Sequence, residues 1–265
     1  MKFSAAVFDI VDQMRLTFSL GVPPVLRAIF AAPSLLLNPT ALSRISFERV
    51  WGAFGEGIDS YSSPDKAALI TPHASGIVLD IGAGHGYTAA YLDRTKCTKY
   101  IALEPNTLMH AQIRAKAQAA GFSEVDGSLV ILPSGAEDVK SILSAAAPHK
   151  INTLVSVLTL CTVPAPQQTL RALVEEVIVP GGTFVFQEHG LSPRADVAWW
   201  QRFWTPVWRR VFDGCRLDRP TTSWIKGLTD ENGESLWVEG NIWNPTDFEE
   251  ESLFWRQSGH FVRKC

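Results

Sequence analysis

The chain has no excess of basic residues, no paired cysteines and no long apolar run. Each absence removes a class of function. Lys and Arg total 24 against 27 Asp and Glu, a formal net charge of −3. A nucleic-acid-binding domain carries a basic patch or stripe, so no nucleic-acid partner is expected. The four cysteines, Cys97, Cys161, Cys215 and Cys265, form no CxxC pair and show no metal-ligand spacing. That usage predicts reduced thiols in a cytoplasmic protein, with no metal. No stretch reaches the roughly 20 apolar residues of a membrane span, and the first ten residues lack the apolar core of a signal peptide. No internal repeat is visible. The 265 residues suffice for one large α/β domain with an appended part.

What is present centres on residues 77–106, IVLDIGAGHGYTAAYLDRTKCTKYIALEPN. Ile77–Val78–Leu79 is a short apolar run ending in Asp80, as a buried parallel strand requires. Gly82, Gly84 and Gly86 follow in a GxGxG spacing, then a helix-compatible segment with Tyr87, Ala90 and Tyr91 on one face. A second strand, Tyr100 to Leu103, ends in Glu104. The glycines allow a sharp turn and close approach of a ligand to the backbone, and a helix start offers free N–H groups. Glu104 lies 18 residues after Gly86, near the ~20 expected of an acid that accepts hydrogen bonds from ribose hydroxyls. A dinucleotide site would place its third glycine one residue later.

The N-terminal residues read as short helices. Val7, Ile10, Val11, Met14 and Phe18 recur at helical spacing, with Asp12 and Arg15 off that stripe. Gly21, Pro23 and Pro24 are expected to stop the first helix, and Pro33 the second. Residues 46–70 read as a helical connection with a loop, in which Phe47, Val50, Trp51 and Phe54 share a face. Residues 1–70 are thus expected as a helical cap or lid over a domain spanning 71–265. Residues 1–37 also suit weak association with the surface of an internal membrane.

Beyond Glu104, Pro105–Asn106 opens a helix that Gly121 ends. Strands follow at Leu129–Leu132, Ile151–Val157 and Thr183–Gln187, the last after a helix from Gln168 to Val177 and a Pro180–Gly181–Gly182 turn. Thr159, Cys161 and Thr162 lie at the carboxyl end of the fourth strand, where open α/β sheets bind ligands. The fifth strand ends in Glu188–His189, and a histidine there can take a proton from an acceptor. Between about 192 and 224 the chain is aromatic: Trp200, Trp204 and Trp208 recur every four residues, with Phe203 and Phe212, and Pro206 is expected to kink the helix. Such a wall suits a flat or greasy acceptor. Asn232–Gly233 signals a hairpin, and the tail, with Trp237, Trp243, Phe248 and Phe261, reads as an antiparallel pair closing the sheet.

Asp80 with GxGxG and a strand-terminal Glu104 resembles the cofactor site of class I S-adenosylmethionine methyltransferases, and helix–PGG–strand recurs in that family. LDIGAGHG, EPN, VSVLTLCTVP, FQEHG and FDGC together resemble the animal methyltransferase-like thiol methyltransferases and their fungal relatives in secondary metabolism. The resemblance implies an α/β, Rossmann-like fold with a seven-stranded, mostly parallel sheet and an N-terminal helical cap. It implies S-adenosylmethionine as cofactor, S-adenosylhomocysteine as product, and a small apolar acceptor methylated on oxygen or, as second choice, on a thiol. Asp80 would face the methionine ammonium, Gly82, Ala83, Gly84 and Gly86 would pass under methionine and ribose, and Glu104, Pro105 and Asn106 would hold the ribose side. Gly135, Ala136, Glu137 and Leu158 would complete the cofactor site. Tyr61, Thr159, Cys161, Trp200, Trp204 and Trp208 would bind acceptor, with His189 and Glu188 catalytic and Trp51, Phe54 and Tyr61 as lid. Two other readings keep less of this: a cofactor-assisted rearrangement or cyclisation without methyl transfer, and a lipid- or membrane-surface binding protein.

Overall fold

The computed structural model describes residues 3–246 and 249–265; Phe248 lies outside them. Seven strands form one sheet in the order β3-β2-β1-β4-β5-β7-β6. They are β1 (Gly76–Ile81), β2 (Cys97–Leu103), β3 (Leu129–Leu132), β4 (Ile151–Val157), β5 (Ile178–His189), β6 (Trp237–Trp243) and β7 (Arg256–Arg263). The first five pair in parallel, and β7 and β6 close the edge antiparallel. The order reverses between β1 and β4, so a crevice opens at their carboxyl ends, the usual ligand position in such sheets.

Alternation along the strands builds two cores. Leu79, Ile81, Ile101, Leu103, Phe184 and Phe186 face one side, where α4 (Val139–Ala146), α5 (Pro166–Ala172) and α7 (Thr221–Lys226) cover them. Val78, Tyr100, Ala102, Val155 and Val185 face the other, against α3 (His110–Ala119) and the end of α2 (Pro39–His73). Each fully buried Leu, Ile or Phe side chain contributes about 1.5–3 kcal/mol. Pro180–Gly182 bulges from β5: Ile178 pairs with Ile151, and the next pair is Thr183 with Thr153. Gly181 takes φ +75° in that bulge.

The N-terminal part differs from its expectation. One helix, α1 (Phe3–Ala31), runs through Gly21, Pro23 and Pro24, and α2 runs through Pro64 and Pro72 without the expected loop. Gly21 is no stop signal. A Cβ there would stand 2.2 Å from Ser46 Oγ, so the glycine permits α1 to lie against α2. A proline leaves one carbonyl, four residues back, without its helical partner. Those of Ser19, Ser60 and Ala68, behind Pro23, Pro64 and Pro72, belong to exposed residues where water satisfies them cheaply; that of Leu20, behind Pro24, belongs to a half-buried one. Pro206 likewise sits inside α6 (Ala195–Val211), which continues past it. Tertiary packing outweighs local propensity in all three helices.

A third core joins these helices. Ile10 of α1, Val50 of α2, and Val197 and Trp208 of α6 meet Phe212, Leu217 and Leu253, with Phe47, Phe54, Trp200, Trp204 and Phe254 packed around them. The cap and the aromatic helix are therefore one hydrophobic unit above the sheet's carboxyl edge. The Asn232–Gly233 turn serves only a small Thr229–Ser235 bridge rather than the β6–β7 pair.

Candidate active site

The loop after β1 needs its glycines. Gly82, Gly84 and Gly86 have φ of +62°, +55° and +80°, a region costly for other L-residues. A Cβ on Gly82 would meet the Thr159 side chain at 2.4 Å, and one on Gly86 would stand 2.8 Å from the Ile113 Cα. The expected helix after the loop is a single 3₁₀ turn, Tyr87–Tyr91. It is too short to supply a helix-dipole site.

Glu104 closes β2 beneath this loop. Its carboxylate accepts from Gly84 N (2.9 Å) and Asn106 N (2.8 Å). Burial pushes its pKa up to about 7, although those N–H groups pull the other way. Asp80 is buried beneath the loop, where the Tyr100 hydroxyl donates to it at 2.8 Å. Burial raises its pKa to about 6 against the opposing hydroxyls of Tyr100 and Thr88. Lys66 of α2, paired with Asp59 at 2.9 Å, adds a buried cation near Asp80. Asn106 is held by its side-chain donation to Arg44 O. Gly135 lies beyond β3, with the Glu137 carboxyl folded back over it, and the Ala136 side chain joins the sheet core.

A cavity of about 270 Å³ opens beside the loop. Phe47, Trp51, Phe54 and Ile58 of α2 form its roof, and Trp208 and Phe212 form a wall stacked at 3.6 Å. Leu158, Cys161, Thr162 and His189 line the strand ends, with Cys215, Phe254 and Arg256 beside them. Leu158 takes φ +54°, which turns the chain sharply after β4. Trp51 also reaches the glycine loop: a Cβ on Gly84 would stand 2.5 Å from Trp51 Nε1. One aromatic side chain thus spans the loop and the cavity.

The polar end of the cavity is sulfur and imidazole. His189 Nε2 and Trp208 Nε1 each lie 3.3 Å from Cys215 Sγ. The hydrogen bond from Cys161 is the leading cause that holds the Cys215 thiol well below its ordinary value, and its counterpart raises Cys161. Burial draws the His189 imidazole down, but the facing Cys215 sulfur leaves it above the usual histidine value. Glu188 is fully buried and accepts from Ser156 Oγ, Thr159 N and Leu160 N at 2.6, 2.9 and 3.2 Å. It organises the turn after β4 and does not line the cavity.

These positions can be compared with known proteins. The model of the methyltransferase domain family matches residues 61–226, more than half of the chain. The chain belongs to the methyltransferase domain family. It is 30% identical over 154 residues to the thiol S-methyltransferase TMT1B of Homo sapiens, covering 56% of this chain and 58% of that protein. It is 38% identical over 76 residues to the Rattus norvegicus TMT1B, covering 28% and 31%. The matches thus span from about a third to somewhat over half of these relatives. An O-methyltransferase family protein from Burkholderia thailandensis shares the fold with a TM-score of 0.58 at 12% identity, over 84% of this chain and 60% of that one. A S-adenosylmethionine-dependent methyltransferase from Leishmania major gives 0.53 at 16%, over 85% and 81%. The fold is that of a class I methyltransferase.

For a methyltransferase of this class the cofactor is S-adenosylmethionine, and the loop fits it. Three left-handed glycines leave the backbone bare, and Glu104 is held by backbone N–H groups at the end of the neighbouring strand. The ends of β3, β2, β1, β4 and β5 stand in that order, so Gly135, Glu104, Gly82, Leu158 and His189 follow one another along the crevice. Of the expected acceptor residues, Cys161 and Trp208 line the cavity. Trp200 and Trp204 do not; they pack in the third core. Thr159 is spent on the Ile81 carbonyl, to which its hydroxyl donates at 2.9 Å. Tyr61 is 64% exposed and is not among the residues lining the cavity; the Cζ of Arg256, which does line it, lies 5.7 Å from its ring. Trp237 donates to Ile225 O inside the sheet core, and Trp243 packs on His260, so neither reaches the cavity. Phe212, expected in the aromatic wall, lines the cavity, whereas Cys215, Phe254 and Arg256 were not expected there. The sequence reading also treated the cysteines as scattered, whereas Cys161 and Cys215 converge on His189. Cys161 and His189 end adjacent strands, which was a usable signal; Cys215 arrives from beyond α6 and had none.

Proposed function

We propose that this methyltransferase moves the methyl group of S-adenosylmethionine to the thiol sulfur of a small apolar molecule. The observation that carries the reading is an aromatic cavity whose polar end is made of two cysteine sulfurs and an imidazole, beside the glycine loop. S-adenosylmethionine supplies, when bound, an electrophilic methyl on a sulfonium. Gly82–Gly86 would seat its methionine and ribose, and Glu104 would accept from the ribose hydroxyls. Phe54, Trp208 and Phe212 would hold the acceptor's apolar body and exclude water, so that its heteroatom faces the loop. The relatives' name, thiol S-methyltransferase, also favours sulfur over the oxygen acceptor expected first. An oxygen acceptor remains the second reading, because the same aromatic walls suit a phenol or enol.

The test starts with calorimetry. S-adenosylmethionine and S-adenosylhomocysteine should bind with micromolar affinity, while NADH gives no heat. Incubation with apolar thiols and matched phenols, followed by mass analysis, should then show a one-methylene gain on the thiols. Gain on the phenols alone replaces the thiol reading with the oxygen one. Unchanged mass with a rearranged product would establish the non-methylating reaction instead.

We also propose that α1 rests on a membrane surface. Phe8, Phe18, Val22, Leu26 and Phe30 of α1, with Leu36 and Leu37, are exposed, and among the described residues no helix is long and apolar enough to cross a membrane. Flotation with liposomes should recover the chain, and deletion of residues 1–37 should abolish recovery.

A further inference from the structure

We propose that Cys161, His189 and Cys215 form a zinc site whose open position faces the acceptor cavity. The three come from separate segments: the turn after β4, the end of β5, and the loop after α6. Their ligand atoms all lie within 4.8 Å of one another, and all three residues line the cavity. Two thiolates and one imidazole are a set that binds Zn²⁺ catalytically, leaving a fourth position for water or substrate. Bonds of about 2.3 Å to sulfur and 2.0–2.1 Å to nitrogen at tetrahedral angles put ligand atoms about 3.5–3.8 Å apart. His189 Nε2 and Cys215 Sγ, 3.3 Å apart, are already that close, and the widest pair needs to close by no more than about 1 Å, within reach of side-chain rotation.

The surroundings favour a metal over a buried structural cluster. Trp208 Nε1–H donates to Cys215 Sγ at 3.3 Å, the kind of outer hydrogen bond that orients a metal-binding thiolate. His189 Nδ1 is buried without a hydrogen-bond partner among the described residues. No hydrogen bond on that side fixes the tautomer, so the proton can sit on Nδ1 and the Nε2 lone pair can face Cys215 Sγ at 3.3 Å. The three groups also sit on rigid supports. β5 pairs along its length with β4 and β7, and Glu188 fixes the turn that carries Cys161.

The proposal rests on the thiol reading above and assigns the metal's part in it. An acceptor thiol entering the fourth position loses its proton to water as its sulfur bonds zinc. A cation with two protein thiolates and a neutral imidazole is uncharged, and the acceptor thiolate brings the group to −1. That charge faces the loop where the sulfonium would lie. The acceptor sulfur would take the methyl as the sulfonium carbon–sulfur bond breaks, the bonding pair staying with S-adenosylhomocysteine; the product is a neutral thioether, a weak ligand, and it departs. Thr162, Phe212 and Trp208 shape the space around the open position.

The experiment uses the full-length protein, purified with a phosphine reductant and no added metal. Elemental analysis should find about one zinc per chain. Titration of the metal-depleted protein with Co²⁺ alone should give a thiolate-to-cobalt absorption in the near ultraviolet and a tetrahedral ligand-field band, saturating at one equivalent. An apolar thiol should shift the visible band, and a matched alcohol should not. Cys215→Ser and Cys161→Ser should each weaken cobalt affinity at least 100-fold, with cofactor affinity and circular dichroism unchanged as the check on folding. His189→Ala serves as a third variant should a serine variant fail to fold. Metal depletion should lower thiol methylation at least 10-fold, and zinc should restore it. No stoichiometric cobalt band in reduced protein that binds cofactor and methylates thiols overturns the zinc site and leaves the proposed function standing. A cobalt band that responds to thiols in a protein without transferase activity retains the site and removes that function. Full activity after metal depletion, with a cobalt band present, limits the ion to an adventitious ligand and overturns the proposal.

Discussion

The two ends of the crevice are built in different ways. At the β1–β2 end, the elements proposed to seat the cofactor lie within 25 residues of one another: the left-handed glycines, Asp80 below them and Glu104 at the next strand end. At the β4–β5 end the cavity draws on α2, two strand ends, α6 and the segment before β7. The first end depends on backbone conformation, which a local sequence can specify. The second depends on which helices pack over the sheet, and that is settled by the whole hydrophobic inventory of the chain. On the proposed function, the difference separates a fixed cofactor platform from an acceptor pocket that can vary independently of it.

Substitutions should divide along the same line. The largest effect is expected for Gly86→Val. A side chain there meets the Ile113 backbone and forces a left-handed β-branched residue, costing on the order of 3 kcal/mol or more. Thermal unfolding should show a midpoint lower by many degrees, and cofactor binding should disappear. A stable variant with unchanged affinity would break the claim that backbone geometry governs this end.

Glu104→Ala should weaken cofactor affinity about 10–100-fold, for charged hydrogen bonds worth about 1.5–3 kcal/mol, and leave the acceptor KM alone. The same carboxyl predicts a pH dependence. Its folded pKa, about 7, lies above the ordinary 4.5. Between those values the folded chain holds a proton that the unfolded chain has released, so stability of the free protein falls as pH rises through that window. Ribose hydroxyls donate to the ionised form, so cofactor affinity should rise through about pH 7 and level off above it. Glu104→Gln should flatten both profiles. A stability profile that rises over this window would contradict the buried carboxyl.

On the acceptor end, Phe54→Ala should raise the acceptor KM about 10-fold, the loss expected for a buried aromatic contact of about 1–2 kcal/mol, without altering cofactor affinity measured by calorimetry. Trp204→Leu should change stability and not KM, since Trp204 packs in the third core away from the cavity. Equal KM effects from both would erase the distinction between the aromatic side chains that line the cavity and those that do not. The smallest effect belongs to Trp199→Ala. Trp199 is 55% exposed, and its loss should move stability by no more than about 0.5 kcal/mol.

Much of the sheet was legible in advance because strand and loop signals are short-ranged. The alternation of Leu79 and Ile81 against Val78, the three glycines, Gly121 at a helix end and Asp80 or Glu104 at strand ends needs only neighbours in sequence. The N-terminal helices were misread because Gly21, Pro23, Pro24 and Pro64 signal breaks locally, while the helix faces that bury Ile10, Val50 and Ile70 keep the segments continuous. The aromatic run from 199 to 212 was read as one wall. Helical geometry instead turns Trp208 to the cavity, buries Trp200 and Trp204 partway against the cap, and leaves Trp199 in solvent.

The amino-acid order alone was enough for the parallel strands, the glycine loop and its acids, because their conformations follow from φ restrictions and from residues that alternate every second position. The meeting of Cys161, Cys215 and His189, the roof of Trp51 and Phe54, and the choice of Trp208 over its neighbours needed the folded chain. They join segments up to 164 residues apart, as Trp51 and Cys215 are, and no local rule fixes such distances until the strands are ordered and the helices packed.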